Sequence, residues 1–157
     1  MFKKLLVTLS LMSPMIGQCA ETSVYYNRDL AGTMKSVEFQ YLPVDYFFVN
    51  VGFCKYSSTY NSNISKVLIG MRWDVLPKTH LEIGYGMYKE NFRRVKEGTE
   101  AASGLNPAAA SIGLHYDLTP SLAAKIGFNY YGTHPDIPEH KFIGTRYVNT
   151  IGVGFTF

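Results

Sequence analysis

The sequence predicts an all-β fold, an eight-stranded antiparallel up-and-down transmembrane β-barrel that is preceded by a cleaved signal peptide. Three observations predict this fold class. The first twenty residues have the layout of an export signal, the remainder alternates apolar and polar residues, and the connections between alternating segments are short and long in turn. A length of 157 residues suits one domain. The aromatic fraction of 15% and the net charge of +3 exclude a disordered chain.

A signal peptide is predicted at residues 1–20. Two lysines near the N-terminus precede an apolar segment at 5–16, and a short run of small residues follows it. We expect cleavage after Ala20, with cleavage after Cys19 as the alternative, so that residues 21–157 form the barrel. Loss of the two lysines lowers the net charge from +3 to +1, which is too little for electrostatic binding of nucleic acid.

Short turns and longer polar segments divide the mature chain into eight predicted strands. The short turns each contain proline and are residues 42–45, 76–79 and 118–121. The longer polar segments are 57–63, 91–107 and 134–141, with a shorter break at 29–33. The predicted strands are 22–29, 34–42, 46–57, 65–75, 79–90, 108–118, 121–133 and 146–157. Their mean length of about ten residues matches tilted strands that cross a bilayer, and alternate short and long connections are typical of membrane barrels.

The alternation separates an apolar face from a face of small and charged residues. In the predicted strand 65–75, for example, Ile69 and Trp73 share one face while Lys66 and Arg72 share the other. The small residues of the polar face favour a crowded barrel interior over the solvated face of a soluble β-sandwich. Phe48 and Leu68 break the alternation.

Aromatic side chains cluster towards the strand ends, as in the two girdles of membrane barrels. We expect Tyr41, Tyr46, Trp73 and Tyr116 near the short turns, and Tyr130 and Tyr147 near the long loops.

The predicted interior carries charges of both signs. Its members are Glu38, Arg72, Asp74, His80, Glu82, His115, Asp117 and Lys125, with Lys66 nearer a loop. Because unpaired buried charges are costly and eight strands leave room only for side chains, we expect these groups to pair as a polar plug. A narrow gated pore, in which the pairs exchange partners, is the alternative.

The C-terminus alternates apolar residues up to a terminal phenylalanine: Ile151, Val153, Phe155 and Phe157. This ending resembles the signal by which outer-membrane proteins are handed to the barrel-assembly machinery. Residues 112–122, leading into 126–131, resemble the penultimate hairpin of the OmpA-type and OmpX/Ail/opacity superfamily of eight-stranded barrels.

That resemblance implies an integral protein of a Gram-negative outer membrane, surrounded by lipid and lipopolysaccharide. It also implies an interior network in which Glu38, Arg72, Glu82 and Lys125 take part. The expected role is structural and envelope-stabilising, or adhesive through loops that bind a host or surface ligand. No enzymatic activity, cofactor, metal or nucleic acid is expected.

A lipid A-modifying enzyme is the alternative of another class. The lipid A deacylase pattern places a histidine and a serine two residues apart on a late strand, but residues 130–134 contain no serine. Ser111 and His115 share one inward face at a spacing of roughly 13 Å, too far for a hydrogen bond. His134, Asp136, Glu139 and His140 form a weak metal-like cluster, which we expect to be a solvated loop; a metal site is the alternative. Cys54 is expected to be a small apolar filler.

Overall fold

The computed structural model describes residues 21–57, 60–94, 100–102, 106–132 and 146–157. The predicted signal peptide and the predicted loop 134–141 lie outside these residues, so the signal peptide stays a prediction. None of the described residues belongs to a helix long and apolar enough to cross a membrane.

Nine β-strands occur within the described residues. They are β1 (Glu21–Asp29), β2 (Met34–Val44), β3 (Phe47–Ser57), β4 (Tyr60–Leu76), β5 (Thr79–Arg94), β6 (Glu100–Ala102), β7 (Asn106–Thr119), β8 (Leu122–Tyr131) and β9 (Arg146–Thr156).

Eight of these strands close into an antiparallel barrel. Each strand pairs with the next along the chain, β5 pairs with β7, and β9 returns to pair with β1. The three residues of β6 only extend the sheet at the end of β5. Closure leaves no unpaired edge among the eight, which is what a β-structure in lipid requires. The predicted fold class is confirmed.

The barrel has two ends, which we call the turn end and the loop end. The three predicted short turns are confirmed at 45–46, 77–78 and 120–121, and they lie at the turn end together with Glu21 and Phe157. Each of these hairpins has a register shift next to its turn. Lys78 adopts a φ of 63°, the left-handed conformation that closes the turn after Pro77.

The prediction of a long polar connection at 57–63 is wrong. Strand β4 begins at Tyr60, and Asn61, Ser62 and Asn63 pair with β3. The neighbouring β5 likewise continues to Arg94 instead of ending at residue 90. Beyond the lipid the outward positions meet water, so the alternation that marks a strand in sequence disappears although the ladder continues.

The outward face of the barrel is an apolar belt, as the alternation predicts. On β4, the side chain of Met71 is 44% exposed, whereas the adjacent Arg72 is only 6% exposed. Other outward apolar residues are Val67, Ile69, Trp73, Ile83, Tyr85, Met87, Ile112, Leu114, Ile126, Val153 and Phe155. A barrel with an apolar outer face and a charged interior is typical of one that is surrounded by lipid.

Phe48 points inward because two glycines make room for its ring. A Cβ at Gly70 would overlap the Phe48 ring and the backbone oxygen of Ile83, and a Cβ at Gly84 would lie 3.1 Å from the same ring. Leu68, the second residue that breaks the alternation, is also buried inside. The two exceptions in the pattern are therefore apolar fillers of the interior.

Replacing Gly70 by alanine is expected to destabilise the barrel by about 1–3 kcal/mol, the cost typical of an overpacked interior. Urea unfolding of the refolded protein in lipid vesicles, followed by fluorescence of the single tryptophan, Trp73, measures the loss. Gly113→Ala is the matched control, since its Cβ would meet no atom closer than 3.1 Å. Equal losses in the two variants would contradict this account of the packing.

Candidate functional site

The interior of the barrel holds the residues that the sequence marks as a candidate site. It is organised in three layers along the barrel axis: a histidine and carboxylate layer at the turn end, a central layer of ion pairs, and an apolar layer at the loop end.

Glu82 and Lys125 form the central ion pair. Nζ of Lys125 lies 2.6 Å from Oε2 of Glu82, whose side chain is 2% exposed. The Gln40 amide binds both partners: its Nε2 donates to Glu82 over 2.6 Å, and its Oε1 accepts from Lys125 over 3.2 Å. The Lys125 ammonium also lies 4.9 Å from the ring centre of Tyr25. Four strands, β1, β2, β5 and β8, are thereby joined across the lumen.

A second ion pair joins Glu38 and Lys66, with 2.7 Å between Oε1 and Nζ. Asn50 donates to the other Glu38 oxygen over 3.2 Å, and Lys66 donates to Asn129 over 2.9 Å. The expectation that Lys66 lies nearer a loop is wrong. Because β4 begins at Tyr60, Lys66 stands well inside the strand and is buried.

Histidines and carboxylates alternate towards the turn end. The Asp117 carboxylate contacts His115 Nε2 over 2.7 Å with one oxygen and His80 Nε2 over 2.9 Å with the other. His80 Nδ1 lies 2.5 Å from Asp74, and His115 Nδ1 lies 2.9 Å from the hydroxyl of Tyr25. The Asp74 side chain is 82% exposed, so this residue contacts the network from the rim of the barrel, and the prediction that it lies in the interior is wrong.

Arg72 pairs with a residue outside the predicted network. Its Nη1 lies 3.2 Å from Oε1 of Glu21, a residue absent from the predicted network. Ser23, beside Glu21 on β1, bonds to Thr156 over 3.0 Å and so links the first strand to the last. The signal that would have found these residues is the polar face of β1, which carries Ser23, Tyr25, Asn27 and Asp29 inward.

An apolar layer closes the interior at the loop end, and sequence reasoning missed it. Its members are Met34, Cys54, Ile64, Leu68, Tyr88, Ala109, Tyr131 and Val148. The rings of Tyr88 and Tyr131 meet edge to face at 5.3 Å, and the Tyr88 hydroxyl donates to the backbone oxygen of Gly132. Cys54 is buried there, with Sγ 3.6 Å from the Tyr131 hydroxyl.

Very little space remains between the paired charges. The cavity lined by Glu38, Phe48, Glu82 and Lys125, among others, has a volume of about 10 Å³. A volume of about 10–15 Å³ holds a single water molecule, so these groups contact one another instead of lining a channel. The arrangement is suited to holding strand register and filling the lumen.

The candidate catalytic residues lie apart from one another. Ser111 and His115 share the inward face of β7, and the ring nitrogens of His115 bond to Tyr25 and Asp117. In the part of the chain that the structure describes, no three His, Cys, Asp or Glu side chains are placed to hold a metal ion. The histidine and carboxylate cluster at residues 134–140 lies outside that part.

The predicted girdle and assembly-signal residues lie on or near the outer surface. Tyr46, Trp73 and Tyr116 are exposed near the turn end, and Tyr147 is exposed near the loop end. Tyr41 and Tyr130 are half-buried. The four C-terminal positions point outward and are Ile151, Val153, Phe155 and Phe157.

No family model and no curated protein matches the chain. Several solved barrels resemble it in structure. The N-terminal β-barrel domain of Pseudomonas aeruginosa OprF superposes with a TM-score of 0.66 at 18% identity, covering 88% of this chain and 96% of that chain. Neisserial surface protein A (NspA) superposes with a TM-score of 0.55 at 14% identity, covering 88% of this chain and 94% of that chain. Ail, the attachment invasion locus protein of Yersinia pestis, superposes with a TM-score of 0.51 at 13% identity, covering 90% of this chain and 100% of that chain.

The chain has the fold of the small outer-membrane β-barrels. The resemblance seen in the sequence is confirmed at the level of fold, and the outer-membrane location expected from it agrees with the apolar belt. Because the identities are low, the similarity carries no activity from these proteins to this one.

Removing one partner of the central ion pair is expected to be costly. Lys125→Met leaves Glu82 buried without its cation and should lower the free energy of unfolding by about 3–5 kcal/mol. The double variant Glu82→Gln/Lys125→Met should recover part of that loss. Urea unfolding of the two single variants and the double variant measures the coupling energy. Lys78→Met, in an exposed turn, is the control, with a change of less than about 0.5 kcal/mol. A coupling near zero would contradict the pairing.

Proposed function

We propose that the protein is an integral, non-enzymatic outer-membrane barrel that stabilises the envelope and presents its loop end at the cell surface. The observation that carries this proposal is the filled interior. Paired charges, the Phe48 ring and the apolar layer occupy the lumen from one end to the other, and the central cavity is about 10 Å³. Such an interior favours a rigid anchor over a conduit.

A surface role at the loop end is supported by the length of two strands. β4 has 17 residues and β5 has 16, whereas about 9–11 tilted residues suffice to cross a bilayer. Their outer parts carry exposed polar residues such as Asn63 and Lys89, and β6 pairs there with β5. One structural neighbour, Ail, is named for attachment and invasion, which is in keeping with an adhesive surface.

The expected partners follow from this placement. Outer-membrane lipid and lipopolysaccharide surround the apolar belt, and the outward C-terminal residues from Ile151 to Phe157 serve as the signal for the barrel-assembly machinery. A host or surface ligand would bind at the loop end, where small barrels display their longest loops.

In planar bilayers the refolded protein is expected to give no steady conductance, because the interior is filled. Heat-modifiable migration on a gel, with unboiled and boiled samples running differently, is the control that shows the barrel is folded. The anchor proposal would be contradicted, and the gated pore favoured, if the wild type gave steady conductance and the Arg72→Gln variant gave none.

The enzyme alternative predicts a change in lipid A, and the anchor proposal predicts none. Mass spectrometry of lipid A from cells with and without the protein is therefore expected to show the same acyl pattern. His115→Ala, which removes the hydrogen-bond partner of both Tyr25 and Asp117, serves as the matched variant. The non-enzymatic role would be overturned if the wild type altered the acyl pattern of lipid A and His115→Ala gave the same pattern as cells without the protein.

A further inference from the structure

Three cations stand side by side on the outer surface near the loop end. Arg28 on β1 lies directly opposite Lys35 on β2, and Lys35 lies directly opposite Lys55 on β3. All three side chains are exposed and point away from the lumen. We call these residues the cationic row. Residues directly opposite across antiparallel strands have Cβ atoms about 5 Å apart, and like charges in such pairs destabilise the sheet.

No carboxylate whose side chain the structure places neutralises this row. Asp29, the nearest acidic residue in sequence, points inward and is engaged by Thr33 over 2.5 Å and by the backbone nitrogen of Met34 over 2.7 Å. The other described carboxylates whose side chains are placed lie inside the barrel or towards the turn end: Glu21, Glu38, Asp45, Asp74, Glu82, Glu90 and Asp117. None of the carboxylates placed by the structure therefore offsets the repulsion within the row.

An apolar row lies one step nearer the membrane on the same three strands. Tyr26 pairs with Val37, and Val37 pairs with Phe53. All three are outward-facing and between 38% and 54% exposed. Two residues along a strand span about 7 Å, so the apolar row and the cationic row lie about 7 Å apart on the same outer surface.

A shallow groove connects the two rows. It has a volume of about 400 Å³ and is lined by Tyr26, Lys35, Val37, Phe53, Lys55, Asn63 and Ser65. The short side chains of Asn63 and Ser65 on β4 leave the space beside the larger Phe53 on β3. Lys89 on β5 lies opposite Ser65 and extends the positive surface past this groove.

We propose that this surface binds a phosphate-bearing amphiphile of the outer leaflet, a glycolipid of the lipid A class. Its phosphates contact the cationic row, and an acyl chain lies in the groove against Val37 and Phe53. A soluble anion would pair with the lysines but make no contact with the apolar row, whereas an amphiphile contacts both rows at once. The inference rests on the proposed membrane location and adds a specific site for this lipid, with the groups that bind its phosphates and an acyl chain.

The test uses the full mature barrel, refolded into vesicles of phosphatidylcholine alone or with added bisphosphorylated lipid A. Two further arms contain the same glycolipid without phosphates, or phosphatidylcholine with soluble inorganic pyrophosphate. The urea midpoint of unfolding, read from Trp73 fluorescence, is compared for the wild type, K35Q/K55Q and K35R/K55R. The arginine pair is the matched control, since it changes the same positions and keeps the charge; K78Q removes a cation at the turn end.

Lipid A is expected to raise the urea midpoint of the wild type, K35R/K55R and K78Q. For K35Q/K55Q, the lipid fraction that gives half of this rise should increase roughly thirtyfold, because each lysine near an anionic surface contributes about fivefold to binding. In phosphatidylcholine alone, K35Q/K55Q should be at least as stable as the wild type, since it has lost repulsion.

Three results would overturn the inference: an equal rise in K35Q/K55Q and the wild type, an equal rise with the glycolipid that lacks phosphates, or an equal rise with pyrophosphate. In each of these cases the wild type folds, so the proposed membrane role stands. Failure of the wild type to show heat-modifiable folding in any vesicle would contradict the proposed function itself and the inference with it.

Discussion

A chain that crosses lipid as β-structure needs a partner for every backbone N–H and C=O, because no water is present to replace them. In this protein the pairing of β1 with β9 meets that requirement, from Ser23 opposite Thr156 to Asp29 opposite Thr150. Eight strands then enclose an interior only wide enough for side chains. The glycines beside Phe48, the paired charges and the small residual cavity all follow from this narrow closed lumen.

The charges of the central layer are tolerated because they occur as ion pairs with additional hydrogen bonds. Gln40 serves both members of the Glu82–Lys125 pair, while Asn50 and Asn129 serve the Glu38–Lys66 pair. The Gln40–Glu82 and Lys66–Asn129 contacts join strands that are not neighbours in the barrel, so the network holds opposite parts of the barrel together across the lumen. Phe48 and the apolar layer fill the remaining space, and this filled interior supports the proposed role as an anchor.

The outer surface is arranged by a different constraint, the change from lipid to water along the barrel axis. Apolar side chains form the belt, and beyond it the cationic row meets the surroundings with none of the placed carboxylates beside it. The carboxylates whose side chains are placed lie in the interior or at the turn end. This arrangement suits the proposed contact of the outer surface with anionic lipid.

The sequence by itself determined the strands that lie in lipid, their inward and outward faces and the short turns, because a two-residue alternation is a local property of the chain. It also marked Phe48 and Leu68 as exceptions and identified most of the interior charges. The tertiary structure alone decided that Arg72 pairs with Glu21, that Lys66 lies deep in β4, and that residues such as Met34, Ile64 and Tyr131 form an apolar layer. These features depend on which strands face each other across the closed lumen and on strand extensions held by pairing, and neither leaves a periodic trace in the sequence.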